Sequence, residues 1–144
     1  MNLLVPDASV AAKWLVWAGE PLEAEAIRLL ELRNQGQLEF IVPDLFWLEI
    51  GSILCKAVQR GRCSDEAAQQ SIPALRRYDL TTQPSEPLLE SALVIARLHN
   101  RSFYDSIHVA LAVSRQAVLV TADEKLANAT AAYLPVKWLG AFQV

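Results

Sequence analysis

Apolar residues are spaced along the chain in two rhythms, and the two alternate. Short runs at residues 3–5, 40–42, 117–120 and 136–139 read as strands buried on both faces. Residues 80–83 form a further strand, with Pro84 and Pro87 just beyond it. Between the runs the apolar positions recur at helical spacing. A helix is expected from Asp7 to about Trp17, with Val10, Trp14 and Trp17 on one side, before Gly19 breaks it. The next restarts at Glu20-Pro21 with Pro in its first turn, places Leu22, Ala26, Leu29 and Leu30 on one face, and stops at Gly36. Asp44 is expected to cap a helix that ends at Arg60-Gly61, and its apolar residues surround almost the whole circumference. Ser64 caps another helix, which Pro73 should kink or interrupt. Leu88, Ala92, Ile95 and Ala96 mark a helix ending at Asn100. The stretch 102–123 then reads as a capped helix, a tight connection, a buried strand and an acid, followed by a short helix to about Asn128. Strands alternating with helices or helix pairs predict an α/β chain: a central parallel sheet with helices on both faces.

That architecture gives four acids a common address. Ligands of open parallel sheets bind beyond the carboxyl ends of the strands. Asp7 and Asp123 each follow a strand, and Glu49 and Asp105 lie on helices that follow others. Taken one at a time, Asp7, Asp105 and Asp123 are explained as helix caps. Glu49 is not, because it lies inside a helix among apolar neighbours, where an unpartnered carboxylate is costly. A strip shared with Ser52 and Lys56 is its plain alternative. Taken together, four converging carboxylates need a cation. At ~5 Å and an effective dielectric of about 20, each like-charged pair costs on the order of 3 kcal/mol. Mg²⁺ or Mn²⁺ suits oxygen ligands, and such a centre activates water against phosphate esters. Ser9 and Thr121 would hold a metal-bound water or a neighbouring carboxylate, and Lys13 is placed to meet a phosphate or to sit in solvent.

Composition narrows this further. The 144 residues suit one domain, 1–144, with one core. The net charge of -3 argues against non-specific binding of nucleic acid by bulk charge, so any such partner must be drawn by a metal or by local arginines. No apolar run spans a bilayer and no signal peptide is evident, so a cytoplasmic protein without a membrane partner is expected. Cys55 and Cys63 have neither zinc spacing nor a disulfide framework and read as reduced thiols. His108, three residues after Asp105, faces a similar direction and could help a proton transfer, but its apolar neighbours favour a helix-packing histidine.

Four stretches carry a resemblance. They are 5–15 (Val-Pro-Asp-Ala-Ser-Val-Ala-Ala-Lys-Trp-Leu), 43–50 (Pro-Asp-Leu-Phe-Trp-Leu-Glu-Ile), 104–112 (Tyr-Asp-Ser-Ile-His-Val-Ala-Leu-Ala) and 121–126 (Thr-Ala-Asp-Glu-Lys-Leu). In this order and spacing the chain resembles PIN-domain ribonucleases, and in particular VapC-type toxins of bacterial and archaeal toxin–antitoxin pairs. The resemblance implies a three-layer α/β/α sandwich and a metal-dependent endoribonuclease. It carries over Asp7, Glu49, Asp105 and Asp123 as the acidic quartet around Mg²⁺ or Mn²⁺, with Ser9 and Thr121 in support. It also implies RNA as substrate, a homodimer, and a cognate antitoxin whose C-terminal segment blocks the site. Apolar residues on the 43–60 helix and the tryptophans of the first helix would suit such partners. Ser106 departs from the family, which often has Ala there. The rival readings are a silent PIN-like scaffold and another magnesium-dependent phosphate enzyme. A haloacid-dehalogenase-like phosphatase would want an Asp where Ser9 stands.

Overall fold

The computed structural model describes residues 2–15 and 20–142. Five strands form one parallel sheet: β1 (Asn2–Pro6), β2 (Leu38–Pro43), β3 (Thr81–Gln83), β4 (Val118–Thr121) and β5 (Val136–Trp138), in the order β3-β2-β1-β4-β5. The chain begins in the middle of the sheet and winds outward in both directions. The switch falls between β2, β1 and β4, where the crevice of such a sheet opens. Alternation along the strands divides the core. Leu4, Phe40, Val42 and Val120 face one layer, and Val5, Ile41 and Leu119 face the other. Helices α1 (Ala8–Ala11), α2 (Glu23–Asn34), α3 (Leu45–Gln59) and α4 (Asp65–Arg76) cover the first face. Helices α5 (Leu89–His99), α6 (Phe103–Arg115) and α7 (Glu124–Thr130) cover the second. The result is the expected three-layer α/β/α sandwich.

Local departures have physical causes. The first helix is much shorter than its periodicity suggests. It is α-helical only over Ala8–Ala11, tightens to a 3₁₀ turn at Ala12–Trp14, and is extended at Leu15. Trp17 and Gly19, which were expected to end it, lie outside the described residues. Trp14 is not a displayed aromatic. Its indole packs tilted against Phe40 and edge-on to Tyr78, with centroids 5.3 and 5.8 Å away, and its Nε1 donates to the Ala26 carbonyl at 2.8 Å. Pro21 lies outside α2, which starts at Glu23 after Leu22 takes a left-handed conformation (φ 62°).

Asp44 does not cap α3. Its backbone is already helical, and its carboxylate turns away to accept from the Ser85 backbone N–H at 3.1 Å and from the Ser85 hydroxyl. This pins the start of α3 to the loop after β3. Gly61 (φ 71°) does close α3 as expected. Nor is α3 buried all round. Phe46, Ile50, Leu54 and Ala57 form its core stripe, while Leu48 is 73% exposed and Cys55 faces solvent. Helix α4 is not interrupted by Pro73, which lies near its C-terminal end. Its N-cap is Ser64, whose hydroxyl accepts from Ala67 N at 3.1 Å.

Candidate active site

All four acids reach one cleft of about 510 Å³ at the carboxyl edge of the sheet. Its walls include Asp7, Ser9, Glu49, Tyr104, Asp105 and Asp123. Each acid arrives by a different route. Asp7 leaves the end of β1, the central strand, and is buried (8% exposed). Its carboxylate makes no capping bond to α1. Instead Oδ2 accepts from Thr121 Oγ1 at 3.0 Å, while its backbone N–H donates to Val120 at 2.9 Å. The capping explanation therefore fails at this position. Thr121, fully buried at the end of β4, also accepts from the Asp123 backbone N–H at 3.0 Å. One hydroxyl thus ties the two strand-end acids together across the β1–β4 pair. Ser9 Oγ accepts from the Ala122 N–H at 3.2 Å, closing the same junction. Both hydroxyls act on the protein frame.

Asp123 does cap. Its Oδ1 accepts from Lys125 N (3.0 Å) and Leu126 N (3.3 Å), opening α7. Asp105 sits in the first turn of α6, where Ser102 is the N-cap and accepts from the Asp105 N–H at 3.1 Å. Burial and, after it, the charge of Asp7 push the Asp105 carboxyl above its ordinary range; the Ser102 hydrogen bond opposes this only partly. Glu49, half-buried on α3, does share its side of the helix with the exposed Ser52 and Lys56, and it also has a partner. His108 of α6 donates from Nε2 to Glu49 Oε1.

His108 is the residue that sequence reasoning undervalued. It is buried as a packing histidine would be (1% exposed), yet its ring points into the acid cluster. Ligand atoms of Asp7, Glu49 and His108 all lie within 4.8 Å of one another. The available signal was its position three residues after Asp105, on the same face of α6. Its Nδ1 has no partner among the described residues, so the ring is held through Nε2. Burial alone would lower the His108 pKa. The Glu49 hydrogen bond and the charges of Asp7, Glu49 and Asp105 outweigh that and raise it. Lys13 lies outside this cleft. It is buried (8% exposed), which removes the solvated alternative, and its Nζ is 3.6 Å from Glu20.

The donor set fits a divalent cation. Carboxylate oxygens dominate, and the charge of Asp7, which after burial does most to raise Asp105, is a repulsion that a cation would relieve.

The two raised groups make a testable linkage. A histidine raised on folding contributes stability below its ordinary value of 6.5 and loses it as pH climbs through the higher folded value. A carboxyl raised from 3.8 likewise favours the folded state less as pH rises through its folded value. Both act in the same direction. With metal chelated, the melting temperature should therefore be higher at pH 6 than at pH 8. Saturating Mn²⁺ should flatten or reverse this slope, because metal and protons compete for the same atoms. Thermal melts at the two pH values, with and without EDTA, check it.

The PIN domain family matches residues 4–132. "Ribonuclease VapC1" of Mycobacterium tuberculosis is 34% identical over 129 residues, covering 90% of this chain and 92% of that protein. Among solved structures, PAE2754 from Pyrobaculum aerophilum superposes with a TM-score of 0.70 at 22% identity, over 97% of this chain and 90% of that one. VapBC2 from Rickettsia felis, solved bound to a DNA fragment from its promoter, gives 0.68 at 11% identity, over 94% and 98%. These two likenesses concern the fold.

Proposed function

Because this chain belongs to the PIN domain family, we propose that it is a metal-dependent endoribonuclease of the VapC toxin type, its 144 residues acting as one domain. The observation that carries the reading is the meeting of Asp7, Glu49, Asp105 and Asp123 in one cleft, with Thr121 fixing Asp7 and His108 fixing Glu49. Asp7, Asp105 and Asp123 hold Mg²⁺ or Mn²⁺ in this reading, and Glu49 acts through water.

The bound cation would supply an acidified water and neutralise charge on the phosphoryl oxygens. The protein's own part is positional. Asp7 is fixed because its Oδ2 is engaged and its backbone is paired to β4. Glu49 has one oxygen on His108, which leaves Oε2 to orient an attacking water and accept its proton. In-line attack of that water on phosphorus forms one P–O bond and breaks the P–O bond to one ribose; Glu49 takes the water's proton, solvent water protonates the leaving ribose oxygen, and the RNA 2′-hydroxyl takes no part. Incubating the protein with unpaired and structured RNA tests this. Cleavage is expected with Mg²⁺ or Mn²⁺ and none with EDTA; metal-independent cleavage would refute it.

Two apolar surfaces support a reading with partners. A groove between α3 and α4, lined by Leu54, Cys55, Val58, Ala68 and Ile72, is offered to an antitoxin segment. Leu89, Leu93, Val94 and Leu98 project from α5 and would be covered in a homodimer. The RNA-cleaving toxin would work in the cytoplasm. Among the described residues no helix is long and apolar enough to cross a membrane.

A further inference from the structure

A second cleft, of about 140 Å³, adjoins the acidic one and shares Ser9, Ile53 and Lys56 with it. Its character is opposite. Lys13, Lys56, Arg60 and Arg62 line it, and Glu20 is its one acid. Glu20 lies between two of these cations, pairing with both Lys13 and Arg62. No ion pair to a described residue engages Lys56 or Arg60, and both are exposed. This is an unusual concentration of positive charge for a chain of net charge -3.

We propose that this basic cleft binds a backbone phosphate of an unpaired RNA segment, a few nucleotides from the bond cut at the acidic cleft. The inference rests on the nuclease reading above and extends it to how the strand is held. Helix α3 sets the spacing. Glu49, Ile53, Lys56 and Arg60 follow one another at intervals of three or four residues, so they lie along one side of the helix. Lys56 is seven residues from Glu49, about 10 Å along the axis at 1.5 Å per residue. A stacked strand advances about 3.4 Å per nucleotide, so that distance is about three nucleotides. Cations near the end of α3 also complement its dipole. That does not account for Lys13, which lies on another element and is buried. The cleft further answers an electrostatic difficulty. Four acids repel the strand they are to cut, and a cationic wall beside them offsets this.

The test uses the double variant Lys56→Gln/Arg60→Gln, whose exposed side chains can change without disturbing the core. Binding of a single-stranded RNA of about 12 nucleotides is measured by fluorescence anisotropy in the cleavage-silent Asp7→Asn background. The titrations are run in EDTA over a range of KCl concentrations. Losing the contact to that one phosphate should weaken binding about tenfold and make the slope of log K against log salt shallower by about 0.7. The control Arg76→Gln/Arg77→Gln, at the end of α4, should change neither. Unchanged affinity and slope in the double variant, or an equal loss in the control, would overturn the proposal. A second arm measures cleavage in the active protein with Mn²⁺. There Lys56→Gln/Arg60→Gln should raise KM about tenfold with kcat unchanged. If the active protein cuts and this KM does not move, the cleft is wrong and the nuclease reading stands. If it cuts nothing while the binding loss is seen, the cleft stands and the nuclease reading falls.

Discussion

Asp7→Asn will lower kcat for RNA cleavage by about a thousandfold while leaving the chain folded. Asp7 is the most deeply placed of the four acids, buried at the end of the central strand and held by Thr121. Asn keeps the shape and an oxygen to accept from Thr121 Oγ1, so the β1–β4 junction survives. What it loses is the negative charge that would hold a cation. The same loss removes the charge that, after burial, does most to raise Asp105. In EDTA the variant should therefore melt at or above the wild-type temperature. Circular dichroism melts and initial rates on one RNA substrate, taken together, check both halves. A variant that is inactive because it is unfolded would show neither the retained melt nor a native spectrum.

Adding Mn²⁺ or Mg²⁺ to about a hundred times its dissociation constant will stabilise the wild type by about 2.7 kcal/mol. At this chain length that is a rise in melting temperature of roughly 5–10 °C. The apo cluster carries mutual repulsion between Asp7, Asp105 and Glu49, and the unfolded chain has no such cluster to bind metal. Asp7→Asn should abolish most of the rise. Differential scanning calorimetry across a metal titration reads this directly. An equal rise in both proteins would place the metal elsewhere.

Much of this was legible in the sequence, and the limits are instructive. The buried strands announced themselves as short apolar runs, because a sheet covered on both faces admits little else. The acids were legible as a set because parallel topology sends every strand's carboxyl end to one edge. Asp44 shows what a local rule cannot see. It stands where a cap belongs, but a tertiary partner, Ser85, takes its carboxylate. Asp7 shows the reverse, since it looks like a cap and is instead held for the cleft. The apolar neighbours of His108 point to a packing role, and those neighbours do bury it. Whether a buried ring meets a carboxylate depends on how α6 approaches α3, fifty-nine residues away in sequence. Lys13 likewise found Glu20, a partner that no helical periodicity pairs with it.

The end groups of cleaved RNA test the central claim most directly. Attack by a water on the phosphodiester, with the 2′-hydroxyl idle, predicts products carrying a hydroxyl on one side and a phosphomonoester on the other. No 2′,3′-cyclic phosphate should form, and none of these products should appear in EDTA. Fragments ending in a 2′,3′-cyclic phosphate, formed equally well in EDTA, would contradict the account.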